Sequence, residues 1–398
     1  GISQDFGYSL VIDNENNVIV SGTSQTLISG EDFITIKYSP SGSEIWAKRY
    51  NDSAFSMETC NINAVDEQNN IYAGGIAAIN NGWNYTVVKY SPVGNIKWVN
   101  KILIPTNQAG YLYSIITDNS LNVYYCATTP GLGTELVKID SNGTTQWRRT
   151  FQGSNYGPAV CVVDKISGSV VVCNIVPDTV NILRTTKFAG NGDTIWSRYY
   201  SNISPADLCT VNGDIYVTAS SQNSSITTLK YTSGGNLSWV KIYDHNKINI
   251  SRKIIPSSSG FLYIGGNTSS MYSDFLILKY SFNGDLIWER TFDSNNGDDG
   301  LYDICMDSSE NIYASGISNN GCSTVKFDKN GNYITSNIYK ILPDETSWGF
   351  SNGYANNSLY VTGYGIGNGT GCDIITLKYS TLIGIEPISS ETPSQFSL

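Results

Sequence analysis

Histidine is almost missing from this 398-residue sequence, with His245 the only one. Histidine-based triads and histidine metal sites therefore have one candidate member at most. No CxxC occurs among the eight cysteines, and their spacings match no zinc module. A nucleophile elbow and a P-loop are both missing. No apolar run reaches membrane-spanning length, and no helical periodicity is sustained. Charge is sparse, at 15% of residues with a net charge of −10. That balance argues against nucleic acid, which demands a basic footprint.

What is present is a repeat. A lysine is followed five residues later by glycine and nine residues later by tryptophan. Lys37/Gly42/Trp46, Lys89/Gly94/Trp98, Lys138/Gly143/Trp147, Lys187/Gly192/Trp196, Lys230/Gly235/Trp239 and Lys279/Gly284/Trp288 all obey the rule. Lys326/Gly331 keeps it with Thr335 in the tryptophan place, and Lys378 starts a copy with Ile383 and Pro387 instead. A period of roughly 49 residues means a solenoid or a propeller.

Each copy reads as four short strands, A to D. In the sixth, Phe275 to Tyr280 and Leu286 to Phe292 flank the turn SFNGD, a hairpin whose glycine takes φ > 0. Trp288, Arg290 and Phe292 share one face of strand D. The plain reading of that ladder is packing between neighbouring copies, with snorkelling cations. Strands A close on Asp13, Asp66, Asp118, Asp164 and Asp307, which suits turn capping. Strands B end in small residues (Gly22, Gly75, Ala127, Ala219, Gly266, Gly316, Gly363), with Asn174 the exception. Repeated four-stranded antiparallel units are propeller blades. The expected fold is all-β: an eight-bladed β-propeller over residues 1–384, its last blade lacking its own outer strand, then a tail over 385–398. Cys161 and Cys173 flank one hairpin and are candidate disulfide partners.

The run ENNVIVSGTS…DFITIKYSPSGSEIWAKRYN, with NNIYAGGIA and ENIYASGIS, resembles the SBBP-type β-propeller repeat of secreted bacterial proteins. The likeness covers residues 7–379 and is specific for fold, not activity. GIEPISSETPSQFSL resembles the linker before a type A sorting domain of the type IX secretion system. That implies an extracellular or outer cell-surface location. Asp52-Ser53-Ala54, Asp178-Thr179-Val180 and Asp193-Thr194-Ile195 resemble O-glycosylation sites of the same bacteria. The chain begins at Gly1 without an initiator methionine, which reads as a processed product.

The B–C and D–A loops vary while the A–B and C–D turns are regular, so ligand contacts are expected on the variable face. Trp83 and Tyr272 are candidates there. Asp207, Arg252, Lys253 and Asp303, on strands A, are candidates for the channel. No metal or other cofactor is expected beyond a weak calcium candidate at Asp293, Asp298 and Asp299. The functional expectation is a secreted, non-enzymatic scaffold that binds protein or glycan. Self-assembly through the tail and the exposed edge of Asp373 to Tyr379 is a further expectation, as in a filament subunit. The alternative is a propeller enzyme, either polysaccharide-active or a quinoprotein-like oxidoreductase. The Gly–x3–Trp spacing resembles the tryptophan-docking motif of those oxidoreductases, which also need an adjacent cysteine pair. No Cys-Cys dipeptide exists here.

Overall fold

The structure is a computed structural model. It describes residues 4–26, 30–52, 56–79, 82–106, 108–154, 157–294, 297–343, 345–367, 371–380 and 384–389. Among the described residues all regular structure is β, and no helix is long and apolar enough to cross a membrane.

The strands fall into consecutive antiparallel groups of four, in order A-B-C-D. Unit one is Asp5–Ile12, Val18–Thr26, Gly30–Tyr38 and Glu44–Tyr50. Unit two is Ser56–Val65, Ile71–Ile79, Gly82–Tyr90 and Ile96–Ile104. Unit three is Tyr111–Thr117, Val123–Thr129, Gly133–Ile139 and Thr145–Phe151. Unit four is Ala159–Asp164, Ser169–Val176, Ile182–Phe188 and Thr194–Ser201. Unit five is Ile203–Val211, Asp214–Ser221, Ile226–Tyr231 and Leu237–Tyr243. Unit six is Ile248–Pro256, Phe261–Ser269, Ser273–Ser281 and Leu286–Phe292. Unit seven is Gly300–Met306, Ile312–Ser318, Gly321–Phe327 and Tyr333–Tyr339. Unit eight is Ser347–Ala355, Ser358–Gly367, Gly371–Ser380 and Gly384–Ser389. Units one and two share one sheet through a short parallel contact, Gly30 with Ser56 and Glu31 with Met57. The last unit packs on the first: the Leu10 amide donates to Ser351 Oγ, and Tyr360 joins the core of Leu10, Val18 and Ile34. The fold is a β-propeller.

Two corrections to the sequence expectation concern the end of the chain. Unit eight has an outer strand, Gly384–Ser389, which pairs Ser380 with Gly384 and Thr376 with Ser389. The propeller sheet therefore extends to Ser389, and the edge of Asp373 to Tyr379 is covered from Thr376 onward. At the repeat positions this last copy has Ile383 and Pro387 in place of the glycine and tryptophan. Pro387 is tolerated because an outer strand can turn its missing N–H to solvent.

The C–D turns behave as their glycines require. Gly42, Gly94, Gly143, Gly192, Gly235, Gly284 and Gly331 all have φ between 82° and 93°. Each turn ties its unit to the one before. Trp46, Trp98, Trp147, Trp196, Trp239 and Trp288 donate Nε1–H to the carbonyls of Pro92, Ser141, Gly190, Ser233, Phe282 and Lys329, at 3.0–3.2 Å. Arg149, Arg198 and Arg290 donate Nε–H to the carbonyls of Gly192, Gly235 and Gly331. The tryptophan–cation ladder is thus inter-unit packing. The A–B turns are capped as expected: Asp13, Asp66, Asp118 and Asp307 accept amides of their own turns and the side-chain amides of Asn17, Asn70, Asn122 and Asn311.

All eight cysteines are free thiols. Cys161 lies opposite Val172 and Cys173 opposite Val160. Successive strand positions point to opposite faces, so the suggested disulfide cannot form there.

Candidate functional site

Strand A is the innermost strand of each unit, and in seven units its pairing with strand B slips by one residue. The extra residues are Tyr8, Asn61, Tyr113, Ala206, Arg252, Tyr302 and Phe350. Unit four pairs without a slip. A bulge leaves one residue unpaired and re-aims its side chain. None of these seven is buried.

The glycines that end strands B have a physical reason in these bulges. A Cβ on Gly22, Gly75, Gly316 or Gly363 would collide with the carbonyl oxygen of Phe6, Thr59, Gly300 or Trp348. Each of these carbonyls lies two residues before the extra residue. Unit four carries Asn174 at this place and has no bulge.

On the variable face the bulged residues meet other aromatics. Phe6 meets Tyr364 edge-on at 4.9 Å, and Tyr8 meets Phe350 at 5.8 Å. Tyr302 meets Phe350 at 5.3 Å and Trp348 at 5.9 Å, and Trp348 stacks on Tyr364 at 6.2 Å. Phe6, Tyr8, Tyr302, Trp348, Phe350 and Tyr364 are each only partly buried. Arg252 is exposed, with its guanidinium 5.6 Å from the centre of the Tyr302 ring. No carboxylate pairs with it among the described residues. Burial, with Glu31 and Tyr364 nearby, pushes the Tyr8 phenol up to about 12. These phenols are neutral donors at physiological pH.

One residue along each strand lies a charged layer. Lys253 Nζ is 3.6 Å from Asp207, whose carboxylate also accepts the Ile254 amide. Asp303 accepts the amides of Ile304 and Asn352 and the Ser351 hydroxyl. Burial raises the Asp303 pKa, and Lys253 opposes that rise. Asp207, ahead of burial, determines the Lys253 shift and holds its pKa above the usual lysine value. The Lys253 side chain keeps 41% of its exposure. On an innermost strand that exposure is to the axial opening, where water screens only in part.

The structure therefore brings Asp207, Lys253 and Asp303 into one layer and sets Arg252 above them. Trp83 lies elsewhere, on strand C of unit two, packed against that unit's core. Tyr272 is 55% exposed on a loop tip beside Met271, with no aromatic neighbour among the described residues. The suggested calcium trio is regrouped. Asp293 and Asp299 lie with Asp274, not Asp298, their carboxylate oxygens within 4.8 Å of one another. Asp298 instead accepts the Ser273 amide. Burial first, then Asp293 and Asp299, raise the Asp274 pKa. His245 stacks on Tyr243 at 4.5 Å and lies 3.6 Å from Glu289, on the loop between units five and six.

Sequence reading missed Tyr8, Tyr302, Trp348, Phe350 and Tyr364 as a group. The small residues ending strands B were the signal, because each one marks a bulge opposite it.

No family model matches the chain, and no curated protein matches it. Solved β-propellers do. The C-terminal WD40 domain of Sif2 is 11% identical with a TM-score of 0.61, covering 90% of this chain and 93% of that one. The Dos1 propeller is 9% identical with a TM-score of 0.62, covering 90% of each chain. A protein from Bacteroides uniformis named as a candidate 6-phosphogluconolactonase is 13% identical with a TM-score of 0.51, covering 85% of this chain and 97% of that one. At such identities the likeness is one of fold.

Proposed function

We propose that the chain is an eight-bladed, SBBP-like propeller that works outside the cell as a non-enzymatic binding scaffold, with a glycan held at the aromatic mouth. The observation that carries this reading is the group of part-exposed rings around Tyr302 and Trp348, topped by the unpaired Arg252 guanidinium. Flat aromatic faces suit the apolar face of a sugar ring, and a guanidinium is a forked donor for hydroxyls or a carboxylate. The extracellular setting is supported by the sorting-type tail and the repeat resemblance. Thr179 and Thr194, in two of the tripeptides resembling O-glycosylation sites, are exposed; Ser53, in the third, lies outside the described residues.

A polysaccharide-active enzyme, one of the two alternatives, would need free carboxylates in the mouth. Asp207 and Asp303 already accept backbone amides of the neighbouring strands. The reading needs no cofactor.

A glycan array tests it. Wild-type protein should bind a defined glycan class saturably, and Arg252→Ala should weaken that binding while leaving the melting temperature unchanged. Tyr272→Ala, away from the mouth, should bind as wild type. Turnover of a polysaccharide, or an array that stays blank, would sink the proposal.

A further inference from the structure

Six seams between units are each filled by a tryptophan ring. In four of them the ring lies against a tyrosine of its own strand B: Tyr72–Trp98, Tyr124–Trp147, Tyr216–Trp239 and Tyr263–Trp288, at 5.8–6.0 Å. In the other two it lies against a tyrosine of the next unit's strand C, Trp46–Tyr90 and Trp196–Tyr231 at 5.9 and 6.1 Å. The seam between units seven and eight keeps both tyrosines and lacks the ring. Thr335 pairs with Lys326 in the register in which Trp288 pairs with Lys279. Between Tyr313 and Tyr379 there is a cavity of about 140 Å³, floored by Val325 and Leu359. Tyr313, Tyr379, Val325 and Leu359 are buried, whereas Thr335 and Ile334 at the entrance are exposed. The slot opens on the outer rim of the propeller.

An apolar cavity of ~150 Å³ is enough to take a benzene-sized ring. The Lys326 ammonium lies 4.9 Å from the centre of the Tyr313 ring, so a second ring entering the slot would meet a cation already set against an aromatic face. The molecule itself supplies the occupant's chemistry, because six tryptophans on strands fill the equivalent places.

We propose that the slot between Tyr313 and Tyr379 is a docking site for a tryptophan side chain carried by a partner polypeptide. A foreign segment would lay its indole where strand D of unit seven supplies only the Thr335 methyl and hydroxyl. This site is separate from the axial mouth and does not depend on what the mouth binds.

The test uses N-acetyl-tryptophanamide as the peptide-borne indole and free indole as the small-molecule control, both titrated by calorimetry into the whole chain. Wild type should bind one equivalent of the amide. Thr335→Trp fills the slot from within and should weaken that binding at least tenfold, with a higher melting temperature. Trp288→Thr opens a second slot and should raise the stoichiometry to two. If Thr335→Trp does not fold, the Trp288→Thr stoichiometry decides. The proposal is overturned if wild type takes up no amide, if folded Thr335→Trp binds as wild type does, if Trp288→Thr gains no second site, or if only free indole enters.

Discussion

The carbonyl oxygen of Trp348 occupies the space where Gly363 would carry a Cβ. Across strands A and B of unit eight Trp348 pairs with Tyr364 and Gly349 with Gly363, so the two residues are diagonal neighbours beside the bulge at Phe350. Gly363 thus permits the bulge, and the bulge presents Phe350 to the mouth. Gly363→Ala forces the strands apart locally, because a Cβ there would meet the Trp348 carbonyl oxygen. Overpacking of this kind costs about 1–3 kcal/mol. Alanine is native at the equivalent positions 127 and 219, so the variant should fold. Chemical denaturation should show the loss, and binding at the mouth should fall with it.

Much of the fold was legible because the repeat places chemistry at fixed turns. The Asp–Asn caps and the positive-φ glycines of the C–D turns stand where the spacing puts them. What was not legible follows from the bulges. A slip of one residue breaks period-two alternation, so an alternating pattern marks the A strands only from the bulge onward. In units one and six the pattern begins at Tyr8 and Arg252, while the strands begin at Asp5 and Ile248. In unit four, which has no bulge, pattern and strand both begin at Ala159. The side chains re-aimed at the mouth lie where the pattern fails. The tail strand escaped for a different reason: Gly384–Ser389 pairs through its backbone and carries none of the repeat's markers.

The tryptophan belt makes a second prediction. Trp288 donates to the Lys329 carbonyl at 3.2 Å and is 9% exposed, with Gly331 of the next unit against its ring. Trp288→Ala removes the ring, the bond and the floor of the seam, and such truncations cost about 3–5 kcal/mol. Thr335→Ala, at the equivalent place in unit seven, removes an exposed side chain beside an existing cavity and should cost a small fraction of that. Parallel thermal melts of the two variants check the contrast. Equal losses would mean that the seams are not energetically distinct.

The ring closes through a substitute contact. Pro40 occupies the turn position whose carbonyl, in six other units, takes a tryptophan N–H. Here the Tyr360 hydroxyl of unit eight donates to it at 3.0 Å. Tyr360→Phe deletes that bond without changing the ring's volume. A single hydrogen bond contributes about 0.5–1.5 kcal/mol net. Hydrogen exchange should show faster opening of strands near residues 36–38 and 358–361 than in wild type, with units three to five unchanged. Uniform acceleration across all units would show that the bond does not act at the closing seam.

The last prediction concerns Lys253, which lies between the carboxylates of Asp207 and Asp303. Asp303 has a raised pKa: burial is the larger cause, and Lys253 pulls against it. A carboxyl raised in the folded state favours folding when protonated, and that contribution is lost as pH rises through its folded value. Lys253 is shifted upward, chiefly by Asp207, so its stabilisation is present throughout the range below the usual lysine pKa. Lys253→Met removes the cation that opposes the rise, so the Asp303 pKa goes up further. The variant should therefore trail wild type most at neutral pH. The gap should narrow as pH falls through the raised Asp303 pKa, since a protonated carboxyl needs no cation. Other groups move both proteins together. Burial pushes Asp13 and Asp164 up, but bonds from Lys37 and Asn17, and from Ser167 and Lys187, outweigh it and leave both below the usual carboxylate value. Their stabilisation is lost on acidification in both proteins, so the difference between the two melting temperatures is the quantity to follow from pH 8 down to pH 4. A gap that stays constant across that range would show that Lys253 acts by packing, and that the charged layer beneath the mouth does not hold its lysine for electrostatic reasons.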